Sequence, residues 1–122
     1  MGNKILLIDN SVPLGQSVKF ILSRTGYDID MIDSEDKAIV KLKTGNYGLV
    51  IIDLKNFDLY GNTAIRFIRS EGDLIHNPPV LILSVPEIKD TVDTAVFPGK
   101  VDWLMIPFSN EKLLASVRKL WK

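Results

Sequence analysis

The sequence predicts an α/β fold, a doubly wound five-stranded parallel sheet covered on both faces by five helices. Four short apolar runs recur along the chain: Ile5-Leu6-Leu7-Ile8, Leu49-Val50-Ile51-Ile52, Val80-Leu81-Ile82-Leu83 and Trp103-Leu104-Met105-Ile106. Three of them are continuous rather than alternating, as strands buried on both faces require. Between the runs the apolar period becomes helical, and strands alternating with short helices imply a parallel sheet joined by right-handed crossovers. The 122 residues suit one domain, 1–122, and are too few for two cores.

Taken in order, the first run opens the chain as a strand. Leu14, Val18, Ile21 and Leu22 then share one helical face, and Gly26 stands where a left-handed helix terminator belongs. Residues 27–32 predict a weaker strand, with Ile29 and Met31 alternating with Asp28 and Asp30 as on an edge with one wet side. Ser34 caps a second helix with acids in its first turn (Glu35, Asp36) and Ala38, Ile39 and Leu42 inward, stopping at Gly45. Ala64, Ile65 and Ile68 form a third apolar stripe ending near Gly72. A fourth helix is expected over residues 88–97, although Thr91, Val92, Thr94 and Val96 are β-branched. The last helix is capped by Ser109 or Asn110 and turns Leu113, Leu114, Val117 and Trp121 inward.

Composition narrows the function classes. A hydrophobic fraction of 46% with 25% charged residues is ordinary for a soluble globular protein. Fifteen Lys and Arg balance fifteen Asp and Glu, which argues against the broad positive field of a nucleic-acid binder. The absence of cysteine excludes disulfides, thiolate metal sites and cysteine nucleophiles. No apolar run approaches the ~18 residues of a membrane span, so no membrane contact is expected and a soluble cytoplasmic protein is the expectation.

Ligands of open α/β sheets bind beyond the carboxyl ends of the strands, so the polar residues that close each strand matter most. These are Asp9-Asn10 after the first run, Asp53 after the third strand, Ser84 after the fourth and Ile106-Pro107 at the fifth. Two carboxylates gathered there repel unless a cation intervenes. Mg²⁺ suits them, since it takes hard oxygen ligands and commonly uses one or two carboxylates. A carboxylate beside such an ion can attack phosphorus to form an aspartyl phosphate.

Four segments in this order resemble the receiver (response-regulator) family of two-component signalling, and its chemotaxis receivers in particular. Residues 5–10, Ile-Leu-Leu-Ile-Asp-Asn, resemble the opening strand and acidic pair. Residues 49–54 with Gly61 resemble the phosphoacceptor strand and its loop, residues 79–84 the strand ending in a hydroxyl residue, and residues 102–108 the closing strand. The resemblance implies a flavodoxin-like sheet of order 2-1-3-4-5. It also implies Asp53 as candidate phosphoacceptor, Ser84 as hydroxyl switch, Trp103 as aromatic switch and a cis Ile106-Pro107 bond. Mg²⁺ would be held by Asp9, Asp53 and the backbone carbonyl of Lys55.

The departures point to a degenerate active site. Ile106 stands where the family has a lysine that contacts the phosphoryl group, and isoleucine offers neither charge nor donor. Asn10 replaces the second acid, so it is at most a weak metal ligand through its amide oxygen. Val85 replaces a small residue, Phe57 replaces a proline, and Lys55 brings an ammonium that could compete with Mg²⁺.

The leading expectation is therefore an atypical receiver, a signalling domain rather than an enzyme, which at most accepts a phosphoryl group on Asp53 and hydrolyses it slowly. Its expected partners are a histidine kinase or phosphotransfer protein, and a downstream protein or output domain. The downstream contact would use the face formed by the fourth helix, fifth strand and last helix, Ile88 to Lys119, a face that also allows for a homodimer. The alternative is a phosphorylation-independent pseudo-receiver acting as a docking or dimerisation module. A flavodoxin-like cofactor binder is disfavoured, because Asp9-Asn10-Ser11-Val12-Pro13 lacks a glycine-rich phosphate cradle. His76, the only histidine, is expected on the opposite side of the sheet from the acids and cannot by itself form a metal site or triad.

Overall fold

The computed structural model describes residues 4–9, 12–53, 63–71, 75–86 and 100–121. Within them, five strands and four helices follow one another as β1 (Lys4–Ile8), α1 (Val12–Arg24), β2 (Asp28–Ile32), α2 (Glu35–Thr44), β3 (Leu49–Asp53), α3 (Thr63–Glu71), β4 (Val80–Ser84), β5 (Val101–Met105) and α4 (Asn110–Leu120). All four strand pairings are parallel and the sheet order is β2-β1-β3-β4-β5. The helix expected over 88–97 lies outside the described residues.

The continuous apolar runs are explained by two cores, one on each face. Leu6, Ile8, Val50, Ile52, Val80 and Ile82 pack with Ala38 and Leu42 of α2 and Ile68 of α3. Their chain neighbours Ile5, Leu7, Leu49, Ile51, Leu81 and Leu83 pack with Val18 and Leu22 of α1 and Leu113, Val117 and Leu120 of α4. Successive strand residues point to opposite faces, so a sheet covered on both sides needs an apolar residue at every position. Full burial of each Leu or Ile is worth about 1.5–3 kcal/mol, which makes β1, β3 and β4 the centre of the fold.

Local signals set the helix ends. Gly26 has φ +97°, a left-handed conformation natural to glycine. The Gly26 N–H donates to the Ser23 carbonyl (3.2 Å) and the Tyr27 N–H to the Leu22 carbonyl (3.2 Å), the paired bonds that close a Schellman turn. Ser34 caps α2, its Oγ accepting from the Lys37 N–H at 3.3 Å. Of the two cap candidates for the last helix, Ser109 is the cap, its Oγ accepting from the Lys112 N–H at 3.1 Å. Leu113 and Val117 are buried as expected, but Leu120 joins them while Leu114 and Trp121 are only half-buried. Trp121 packs on the edge of the same core and also lies against Tyr27, ring centroids 5.0 Å apart.

The β2 edge is less wet than its alternation suggests. Ile29 is buried and Met31 half-buried on the α1 face, while Ile32 packs into the other core. Asp30 is half-buried: Tyr47 Oη donates to its Oδ2 at 2.7 Å and Lys4 Nζ stands 3.3 Å away. Lys4 also lies 5.6 Å from the Tyr47 ring centroid. Desolvation opposes ionisation of Asp30, but the hydrogen bonds from Tyr47 and Lys4 and the charges of Lys4 and Lys41 outweigh it and hold the carboxyl below its ordinary value.

Candidate functional site: the carboxyl edge of the sheet

Register brings the strand-closing residues together. Ile8 pairs with Ile52, Asp53 with Leu83 and Ser84 with Met105. Asp9 follows Ile8 and continues the ladder, its N–H donating to the Ile32 carbonyl at 3.0 Å. It thus reaches the level of Asp53 on the neighbouring strand, and adjacent strands lie about 4.8 Å apart. Alternation turns Asp9 and Asp53 toward the α1 and α4 face and Ser84 toward the α2 and α3 face.

Burial singles out the same residues. Among the described residues, Asp9 (1% exposed), Asp53 (0%) and Ser84 (0%) are the buried polar or charged side chains. Burying a carboxylate costs several kcal/mol unless charge or hydrogen bonds compensate. Two of them at neighbouring strand ends therefore form a donor set suited to a small divalent cation, with hard oxygens on one face and an apolar floor beneath. Ser84 Oγ donates to the Val85 carbonyl at 3.1 Å.

The fifth strand contributes no charge here. Its ladder continues through the Ile106 N–H, which donates to the Ser84 carbonyl at 2.7 Å, so residue 106 does arrive at the carboxyl edge. Its side chain is half-buried against the α1 and α4 core. The Ile106-Pro107 bond is cis, as expected. Trp103 is half-buried on the other face, packed against the α2 and α3 core. Its N–H donates to Asp102 Oδ1 at 2.8 Å, and Lys119 Nζ lies 3.3 Å from Asp102 Oδ2.

Asn10 and Lys55, the remaining expected metal ligands, and Phe57 lie outside the described residues. His76 is exposed ahead of Pro78 and Pro79, at the amino end of β4 and hence at the opposite end of the sheet from the acids. Two residues not assigned to the site from sequence adjoin Asp9, namely Gly15 of α1 and Met31 of β2. For the first, the sequence offered only a glycine inside a helical pattern, which by itself does not say what it packs against. The approach of β2 to α1 was not available.

Comparison with known proteins agrees with this arrangement. Residues 5–118 match the family described as Response regulator receiver domain. The chain is 31% identical over 117 residues to the probable transcriptional regulatory protein SilR of Salmonella typhimurium, covering 96% of this chain and 50% of that protein. It is 25% identical over 121 residues to the transcriptional regulatory protein CrdR of Helicobacter pylori, covering 99% of this chain and 56% of the relative. The chain thus spans about half the length of these two regulators. Among solved structures, the chemotaxis protein CheY4 of Vibrio cholerae superimposes with a TM-score of 0.78 at 25% identity, over 98% of this chain and 99% of that one. A signal receiver domain from Bermanella marisrubri shares the fold with a TM-score of 0.82 at 23% identity, over 98% of each chain. With the family match running through almost the whole chain and the acidic strand ends meeting on one sheet edge, this chain belongs to the response regulator receiver domain family of two-component signalling.

Proposed function

We propose that this chain is an atypical receiver that accepts a phosphoryl group on Asp53 from a histidine kinase or phosphotransfer protein and couples it only weakly to output. The observation that carries the reading is the joint burial of Asp9, Asp53 and Ser84 at the carboxyl edge. Two buried carboxylates and a buried hydroxyl at the strand ends of one sheet edge are the groups that a metal-assisted phosphoryl transfer to Asp53 would use.

In this reading an Asp53 carboxylate oxygen attacks the phosphorus of the donor, and its O–P bond forms as the donor's bond to phosphorus breaks. Bound Mg²⁺ would supply the positive charge that two carboxylates and a phosphoryl group together require. Asp9, Asp53 and the Lys55 backbone carbonyl would hold it, with the Asn10 amide as a weak further donor. Ser84 exchanges its bond to the Val85 carbonyl for one to a phosphoryl oxygen. Ile106 can neither neutralise that oxygen nor pull the fifth strand toward it, which is the physical basis for weak coupling. Output passes by protein contact through the face from residue 88 to 119, where Trp103 and α4 lie, to a downstream partner, a further domain or a second copy. Neither nucleic acid nor membrane takes part directly, the setting is the cytoplasm, and hydrolysis of the phosphoryl group is slow.

The packing of Ile106 against the α1 and α4 core favours a second reading, a pseudo-receiver that is never phosphorylated and serves only for docking or dimerisation. Acetyl phosphate and beryllofluoride separate the two. Mass spectrometry of the wild type with Mg²⁺ present should show one modification, absent from Asp53→Asn. Modification that persists in the mutant would remove Asp53 from its role, and a wild type inert to both reagents gives the case to the pseudo-receiver. Mg²⁺ binding is expected to be weak, and low-micromolar affinity would contradict the roles given to Asn10 and Lys55.

A further inference from the structure

We infer that Gly15 and Met31 act together as positioning residues for Asp9, setting how the acidic edge meets its cation. Gly15 is buried in α1, four residues into the helix. A Cβ placed there would lie 3.0 Å from Met31 Sδ, 3.4 Å from Met31 Cε and 3.5 Å from Asp9 Cβ. The missing side chain is therefore the space into which the Met31 thioether folds, and the same point touches the Cβ of Asp9.

The sheet explains why these three meet. Met31 pairs with Leu7 and so points to the α1 face. Asp9 lies two residues beyond Leu7 on β1 and turns to that same face. Met31 thus lies on the same face as Asp9, on the neighbouring strand β2. An unbranched thioether fills an irregular gap well. Together with the missing side chain at position 15, it sets the packing around the Asp9 Cβ. An alanine methyl at position 15 would require the Met31 thioether to give by a few tenths of an ångström and would stand in van der Waals contact with the Asp9 Cβ. Glycine in a helix interior costs about 1 kcal/mol relative to alanine, a cost this packing explains.

The consequence for Mg²⁺ rests on the reading of Asp9 as a metal ligand given above, whereas the positioning of Asp9 does not. The test uses the whole chain as Gly15→Ala, Met31→Ala and the double variant. In the metal-free protein, the Asp9 amide resonance moves in both single variants and the Met31 methyl resonance moves in Gly15→Ala. The Asp9 displacement in the double variant is smaller than the sum of the singles, because the new methyl takes part of the vacated space. With magnesium chloride as probe, affinity falls about tenfold in Gly15→Ala, the lower end of what outer-shell changes cost at metal sites. It recovers in the double variant, without a matching loss in urea midpoint. An Asp9 amide unmoved in folded Met31→Ala overturns the inference even where Gly15→Ala fails to fold. Magnesium that leaves the wild-type Asp9 and Asp53 resonances in place overturns the metal reading instead, and the metal-free shifts still decide whether Gly15 and Met31 position Asp9.

Discussion

Midway along the edge strand β2, Asp30 is held by Tyr47 at 2.7 Å and Lys4 at 3.3 Å, whereas at the carboxyl end of the sheet Asp9 and Asp53 stand on neighbouring strands and the fifth strand brings Ile106. The first group is closed on itself, with charge, hydrogen bond and ring all supplied by the chain, and it ties β2 to β1 and to the loop before β3. The second group gathers more carboxylate at greater depth, and the fifth strand, beyond β4, brings an aliphatic side chain to the same edge and face. A closed cluster stabilises a fold. Two buried carboxylates at neighbouring strand ends repel each other, which favours a cation between them.

The contrast can be broken or sharpened by substitution. The largest effect is expected from Asp9→Asn, which removes one of the two buried carboxylates. Mg²⁺ affinity, followed by amide shifts, should fall more than about tenfold, while the denaturation midpoint holds or rises because a like-charge pair is relieved. A wild-type affinity in this variant would remove Asp9 from the metal site.

Ile106→Lys converts the open edge toward a closed one. The side chain is only half-buried, so a lysine can lay its stem along the α1 and α4 core and place its ammonium toward the carboxylates. We expect a cost under about 2 kcal/mol and a larger beryllofluoride response, read as resonance shifts spreading to Ser84 and Trp103. Severe destabilisation with no gain in response would mean that the corner is committed to dry packing.

Tyr47→Phe opens the closed cluster. Loss of its hydrogen bond should cost about 1 kcal/mol at neutral pH, measured by urea unfolding. The pH dependence has two signs. The Asp30 pKa is lowered in the fold, so its contribution is present above its unfolded value of about 4 and is lost as pH falls through the lower folded value. Burial, then the hydrogen bond to Asp30 and the charges of Asp30 and Asp28, push the Tyr47 phenol above its ordinary value. That contribution is complete below about pH 10 and is lost as pH rises toward the folded pKa. The phenylalanine variant should therefore lose the alkaline part of the pH profile and weaken the acid part.

The smallest effect belongs to Lys4→Met, which removes an ion pair whose side chains are 39% and 25% exposed. Partly exposed pairs of this kind are worth at most about 1 kcal/mol, and the difference from wild type should shrink as salt is added. An effect equal to that of Tyr47→Phe would show that the cation, rather than the phenol, holds Asp30.

The main frame of the fold and the heart of the site were legible because their signals are local. Ile5 to Ile8, Leu49 to Ile52 and Val80 to Leu83 announce strands buried on both faces by being apolar at every position, and Asp9, Asp53 and Ser84 are the residues at which those runs stop. Ser34 and Gly26 mark helix ends through their own conformational chemistry. Other features depend on which distant segments meet, and no local pattern carries that. Asp30 looked like the wet side of an edge strand until Tyr47, 17 residues on, supplied its donor. Trp121 packs on the α1 and α4 core as its place in the helix stripe suggests, but its ring contact with Tyr27 could not be read from the helix. Gly15 drew no reading from the sequence, and only the approach of Met31 and Asp9 shows the space it leaves. The sequence by itself determined the layers, the strand-end acids and the aliphatic residue that closes the fifth strand, because pleat and period are properties of a single segment. Tertiary structure alone decided which side chains share a face, how deeply the acids lie and what flanks them, because those follow from register and packing between strands and helices far apart in the chain.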